Sequence, residues 1–310
     1  MELTTHFVPA ADEVHRLQTG KDAECLLFQE FAEQGHYAGR TEPSDTRQGI
    51  YAVTPAGGFL ASCNSTDPRR VQRMMEEALQ RWREKDRDPV PATPGLETVR
   101  RWEDQYPEDG LVLKVISRDL PRERTPRGWH AVAWNTDFAW FRKEEARSLF
   151  PDSPEVGALH EVPRDLVDRI VRLHLIDNVR GQTTPHEPRS VQSAELTAEV
   201  RAIEGNLVSL RLTGATLVTN HGRWAVGGFR DGQNPGEQDR GMEMTLLGDA
   251  QYDLDSQRFT AFELVALGTR WGGTQFNSRS RDLETAPIGI AFTLSRGERV
   301  APAFVWRYGW

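Results

Sequence analysis

The chain has 310 residues, with 38 basic against 46 acidic side chains and a net charge of −8. That balance excludes a general nucleic-acid binder, which carries a basic surface, and electrostatic attachment to an anionic membrane. Two cysteines exclude a disulfide scaffold, and the lack of any apolar run of about 18 residues excludes insertion of a helix into a membrane. The length suits two domains and a core that is stable without staples. The first residues, Met1 to Phe7, show neither a basic n-region nor an apolar h-region. A cytoplasmic protein and a mature envelope protein, freed of its signal peptide, both fit.

In chain order, residues 6–10 suggest a short first strand. Residues 22–34 follow as a helix, with Leu27, Phe28 and Phe31 at helical spacing and Gly35 as its stop. Cys25 reads as a small helix residue, since no second thiol lies near it in sequence and Asp22 and Glu24 oppose thiolate formation. A polar loop spans 35–48. Two strands, 50–54 and 59–63, then flank a Gly57-Gly58 turn. Thr66 or Asp67 caps a second helix with Pro68 at its start. Val71, Met74, Met75, Ala78, Leu79 and Trp82 form its apolar stripe.

The order helix, loop, hairpin, amphipathic helix resembles the later part of the thioredoxin-like fold over residues 1–85. The Cys-x-x-Cys motif is missing, and Pro43 stands apart from the hairpin where that fold places a proline directly before it. The resemblance therefore implies a small α/β domain without disulfide-exchange activity. Residues 86–97, with Pro89, Pro91 and Pro94, read as a stiff linker.

Residues 98–310 read as mainly β. Strands are expected at 110–117 and 129–134, helices at 143–150 and 163–177, then strands at 194–203, 206–213, 242–252, 258–269, 288–294 and 301–308. Short strands separated by Gly- and Asp-rich turns point to an antiparallel barrel or sandwich. The fold class is thus α+β: a small thioredoxin-like domain, a linker, and a β domain with a short helical section.

Chemistry gathers in the second part. Residues 128–141 hold three tryptophans and two phenylalanines around His130, Asn135 and Asp137. Trp129, Trp134, Asn135 and Asp137 suit a ligand site, and the same stretch suits the core of a β domain. Arg270 and Trp271 open a Gly-rich loop where a stacked arginine grips an anion. His130, His160 and His174 are candidate ligands for a divalent transition metal, with Glu161, Asp137 or Asp177 as a fourth ligand or orienting group, although no close ligand spacing joins them. Residues 177–183 end the helix expected at 163–177 as a polar rim or a plain helix stop. Asp231, Asn234, Glu237 and Asp239 lie in a long polar loop without EF-hand spacing. Arg118, Arg122, Arg124 and Arg127 read as a solvated basic run. No phosphate-binding loop, dinucleotide fingerprint or hydrolase elbow occurs. The expected function is a non-redox binding protein, its β domain holding a small molecule or a protein partner. The alternative is a metal-dependent oxidoreductase with a histidine-based site.

Overall fold

A computed structural model of the chain describes residues 2–10, 14–36, 47–84, 102–123, 126–224, 226, 236–295 and 297–310. The chain divides into two compact units, Met1–Arg100 and Arg101–Trp310. The expected linker, 86–97, lies outside the described residues, as do Pro43, Arg124, Asp231 and Asn234.

The first unit contains α1 (Val14–Thr19), α2 (Ala23–Glu33), β1 (Ile50–Val53), β2 (Phe59–Cys63) and α3 (Pro68–Glu84). Helix α2 starts where Asp22 Oδ1 accepts a hydrogen bond from the Cys25 amide at 2.9 Å. Cys25 is fully buried, and its thiol donates to Asp22 Oδ2 at 3.3 Å. Strands β1 and β2 pair antiparallel about the turn at Gly57, whose positive φ of 79° suits glycine. Met74 and Ala78 of α3 pack on Ala52, Leu60 and Ala61 of this hairpin. The strand anticipated at 6–10 does not form. Residues Glu2–His6 make a 3₁₀ turn, Pro9 offers no backbone donor, and Phe7 instead packs against the α3 cluster. Among the described residues this unit's sheet has two strands.

The second unit is built on one antiparallel eight-stranded sheet. Its strands are β3 (Leu111–Asp119), β4 (Trp134–Phe141), β5 (Leu159–Glu161), β6 (Val191–Glu204), β7 (Leu207–Trp224), β8 (Gly236–Asp253), β9 (Arg258–Trp271) and β10 (Ala286–Leu294). They lie in the order β4-β3-β10-β9-β8-β7-β6-β5. The sheet is open, with β4 and β5 as unjoined edges, so it is neither a closed barrel nor a two-sheet sandwich. Alternation of buried and exposed residues along most of β6 to β10, interrupted at the bulge between Gln251 and Tyr252, gives it an inner and an outer face.

Two helices precede β6: the short α4 (Lys143–Arg147) and α5 (Arg164–Leu173). Leu166, Val167, Ile170 and Val171 of α5 join one continuous core with inner-face residues such as Leu113, Leu196, Leu212, Leu246, Leu264 and Ile290. A sheet of this breadth must bend to enclose one helix. Gly268 on β9 permits a close approach there, because a Cβ would collide with the Glu243 carbonyl and Met244 Cα of β8. Helix α5 stops at Leu173, short of the expected 177, and His174 caps it by donating its amide to Ile170 O at 2.9 Å.

Two further strand expectations fail for one reason. Residues 129–133 and 301–308 hold aromatics but lack a neighbouring strand. Gly128–Ala131 is a 3₁₀ turn and β4 begins only at Trp134. The end of the chain carries a 3₁₀ turn, Val305–Arg307, and lies against edge strand β4. There Val305 packs with Val112, Phe138 and Trp140, while Phe304 packs with Leu173 and Ile176.

Candidate functional site

Beyond the C-terminal end of α5 the interior of the second unit changes character. Inner-face positions at that end are polar: Ser117 and Asp119 on β3, Asn135 and Asp137 on β4, Arg270 on β9, Arg240 on β8 and Asn220 on β7. Two irregular segments meet them. Residues 176–187 follow α5, and residues 272–285 connect β9 to β10.

An ion network fills this layer. Arg279 is completely buried and uses three nitrogens. Its Nε and Nη2 grip Asp177 at 2.7 and 2.6 Å, while Nη2 and Nη1 reach Asp119 at 2.7 and 2.8 Å. Arg180 bridges Asp119 at 2.6 Å and Asp282 at 2.8 Å. Asp282 also receives a two-pronged contact from Arg122 at 2.8 and 2.7 Å and lies 2.7 Å from Arg270. Four arginines thus share three aspartates. Asn277 completes the layer, taking the Thr274 amide at 3.0 Å and donating to Asp177 Oδ2 at 3.2 Å.

Burial works to raise the Asp282 carboxyl. Hydrogen bonds from Arg122 and Arg270 and the neighbouring positive charges outweigh it and hold the group far below the ordinary carboxylate value. Asp119 is lowered in the same way, burial being overcome by Arg279 and Arg180. Arg270 is lowered, first by burial and then by the Arg279 charge. Because both carboxyls sit lower when folded, the stability they supply is complete above the unfolded carboxyl value of about 3.9 and is lost as pH falls below it. The melting temperature of the second unit should therefore decline gently below about pH 6.5, where buried histidines such as His186 resist protonation, and drop steeply below about pH 4, where the carboxyls add their loss. Calorimetry across that range checks it, and a melting temperature that rises on acidification would contradict it.

The sequence candidates fall into three places. Asn135, Arg270 and His130 border the ion layer. Asn135 Nδ2 donates to Asn178 O at 2.7 Å, and Arg270 is fully buried against Asp282 rather than open to a ligand. His130 feels the layer, since burial and then the Arg180 and Arg279 charges lower its pKa. Trp129 and Trp134 stand on the surface, 56% and 61% exposed, and so are neither core nor pocket lining. Trp129 meets His130 edge-on at 4.1 Å. Trp271 packs over Gly241 on the outer face.

Asp137 and His174 belong to a second group. Asp137 Oδ1 accepts the Ala303 amide at 2.8 Å, and its Oδ2 lies 3.4 Å from His174 Nδ1. His174 Nε2 meets the Tyr308 hydroxyl at 2.6 Å. These contacts pin the chain's last residues to β4 and the end of α5. His160 is elsewhere, on β5, bonded to Ser148 O at 2.9 Å. The three histidines expected as metal ligands thus have three different partners. No group of three His, Cys, Asp or Glu among the described residues is arranged to hold a metal ion. Sequence reading missed Asp119, Arg180, Arg279 and Asp282 as a unit, because the pairs Asp119–Arg279 and Arg122–Asp282 are each 160 positions apart.

The outer face has its own feature. Leu247 and Val265 oppose each other across β8 and β9, 49% and 39% exposed. Leu267, 50% exposed, and Leu120 both reach over Gly289 of β10. Trp134 lies directly across from the exposed Arg118 on the same face. Along the register Leu267, Gly289, Arg118 and Trp134 follow one another from β9 to the β4 edge, so the cation stands between the leucine and the tryptophan. Searches of known protein families, of curated proteins and of solved structures find nothing that matches this chain.

Proposed function

We propose that this is a non-redox binding protein whose second unit receives a protein partner on the outer face of its sheet. The observation that carries the reading is the set of exposed apolar side chains Leu247, Val265, Leu267 and Trp134 on one face of the sheet, beside the exposed Arg118. Large apolar side chains grouped on one exposed face mark interaction sites. A small ligand held in the apolar middle of the sheet is less well supported, because α5 and the side chains of the strands fill that part of the inner face. Arg118 beside Trp134 suits a carboxylate on the partner, and tryptophan and arginine are the residues that most often dominate interface energies.

Peptides selected by display on the immobilised protein test this. Binding is expected to fall about tenfold or more in a Trp134→Ser, Leu267→Glu variant with an unchanged melting temperature. Peptides that bind this variant as tightly as the parent would place the partner surface elsewhere and sink the reading.

A further inference from the structure

Arg240 differs from every arginine of the ion network. It lies on β8 beyond the end of α5 and is 5% exposed, yet no carboxylate among the described residues forms an ion pair with its guanidinium. Its two terminal nitrogens donate only to neutral oxygens. They reach Thr184 O at 3.2 Å, Thr184 Oγ1 at 2.9 Å, Pro185 O at 3.3 Å and Thr183 Oγ1 at 3.4 Å. The Trp224 ring covers the guanidinium at 4.6 Å. Nε is buried and has no acceptor. A buried cation compensated only by neutral dipoles is costly, and the chain has spent three aspartates on the arginines next door.

A second donor adjoins it. Asn220 is the direct cross-strand partner of Arg240. Its Nδ2 lies 2.6 Å from His186 Nδ1, which, with the amide donating, leaves the imidazole proton on Nε2. His186 is 3% exposed, and Nε2 makes no hydrogen bond of acceptable geometry, the Leu175 carbonyl being its nearby acceptor. Burial, then the Arg240 charge, push this histidine down to about 3, so it is a neutral donor at working pH. Burial also lowers Arg240, to about 10, with Asp177 and Glu187 too far away to restore it. A water molecule would satisfy Arg240 Nε–H but would leave the charge uncompensated.

We infer that Arg240 and His186 form the floor of a site for a small oxyanion, a carboxylate or a phosphate, entered beneath Trp224. Arg240 Nε–H supplies a hydrogen bond and the guanidinium supplies the charge, while His186, its Nε2–H turned toward the Leu175 carbonyl, lines the floor as a neutral ring. This site is independent of the outer-face side chains.

The test uses the intact chain, with acetate and phosphate as probes and chloride at matched ionic strength as control. Acetate or phosphate is expected to raise the melting temperature saturably, by about 3 to 6 °C at about ten times the dissociation constant. The same titration should shift one arginine Nε–H resonance in the ¹⁵N spectrum, the one missing from Arg240→Lys. Trp224→Phe should keep the resonance shift while removing any accompanying change in tryptophan emission. A rise equal to that in chloride, no saturable resonance shift, or a shifting resonance that persists in Arg240→Lys would each overturn the site in favour of bound water or an adventitious ion only. The Trp134→Ser, Leu267→Glu variant should bind the oxyanion unchanged, which separates this site from the partner surface.

Discussion

Replacing Arg279 by methionine is expected to destabilise the second unit by about 3–5 kcal/mol and lower its melting temperature by roughly 6–20 °C. The side chain is completely buried and holds Asp119 and Asp177 at once. Without it, Asp177 keeps only the Asn277 amide and Asp119 keeps Arg180, so carboxylate charge remains inside with too few partners. The cost arises from the charges left behind rather than from the pairing itself, which is why removing one member hurts more than the pair is worth. The surface pair of Arg211 and Asp249, at 2.7 Å and 37% and 68% exposed, serves as control. Arg211→Met should cost no more than about 1 kcal/mol. Denaturant melts of both variants decide the matter. A loss below about 1 kcal/mol for Arg279→Met would mean that water reaches this layer and screens it.

Cutting the chain after Pro302 is the second large effect. The last eight residues cover Val112, Phe138 and Trp140 on one side of β4 and Leu173 and Ile176 at the end of α5. They also place the Tyr308 hydroxyl 3.4 Å from the Trp140 amide, at the open edge of the sheet. Truncation bares both the apolar surface and the edge, and an unguarded edge strand pairs readily with other chains. Fluorescence should shift to the red as Trp140, now fully buried, meets water. Size-exclusion chromatography should show self-association. A milder version, Phe304→Ala, should cost about 3–5 kcal/mol if the site does not collapse around the cavity. A truncated chain with the parent's melting temperature and elution volume would show that the tail is dispensable.

Periodicity made much of the framework legible. The stripe of α3 and the alternation along β6 to β10 are local patterns that survive folding, because each reports a single face. What local patterns cannot report is what lies beside a segment. His130, Val132 and Trp134 fall two residues apart as on one face of a strand, yet His130 and Val132 sit in and just after a 3₁₀ turn, with Trp129 and Val132 exposed to water. Phe304 and Val305 look like a last strand and act instead as a cover over another strand's edge. The histidines illustrate the same limit from the side of chemistry. His160 and His174 each satisfied a backbone or hydroxyl oxygen within reach, and nothing in their spacing brought them to a common point. Arg270 was visible as an anion gripper, and it does grip one, but the anion is Asp282 of its own chain. The expectation of a barrel or sandwich overlooked a simpler solution, in which one broad open sheet packs its inner face on a single helix.

The pairing of β3 with β10 has a consequence for how the unit is made. The two strands run antiparallel from Ile288 opposite Asp119 to Leu294 opposite Leu113. During synthesis the β3–β4 hairpin emerges before the other strands of this sheet, whereas its neighbour β10 emerges after all of them. Until then the β3 edge stays open, and Asp119 and Arg122 wait for Arg279 and Asp282. Non-local closure of this kind pays its entropy before contacts repay it, so folding should be slow and end with the joining of first to last. The meander β6–β9 can form on its own schedule, and β10 acts as the clasp that draws the early hairpin onto it.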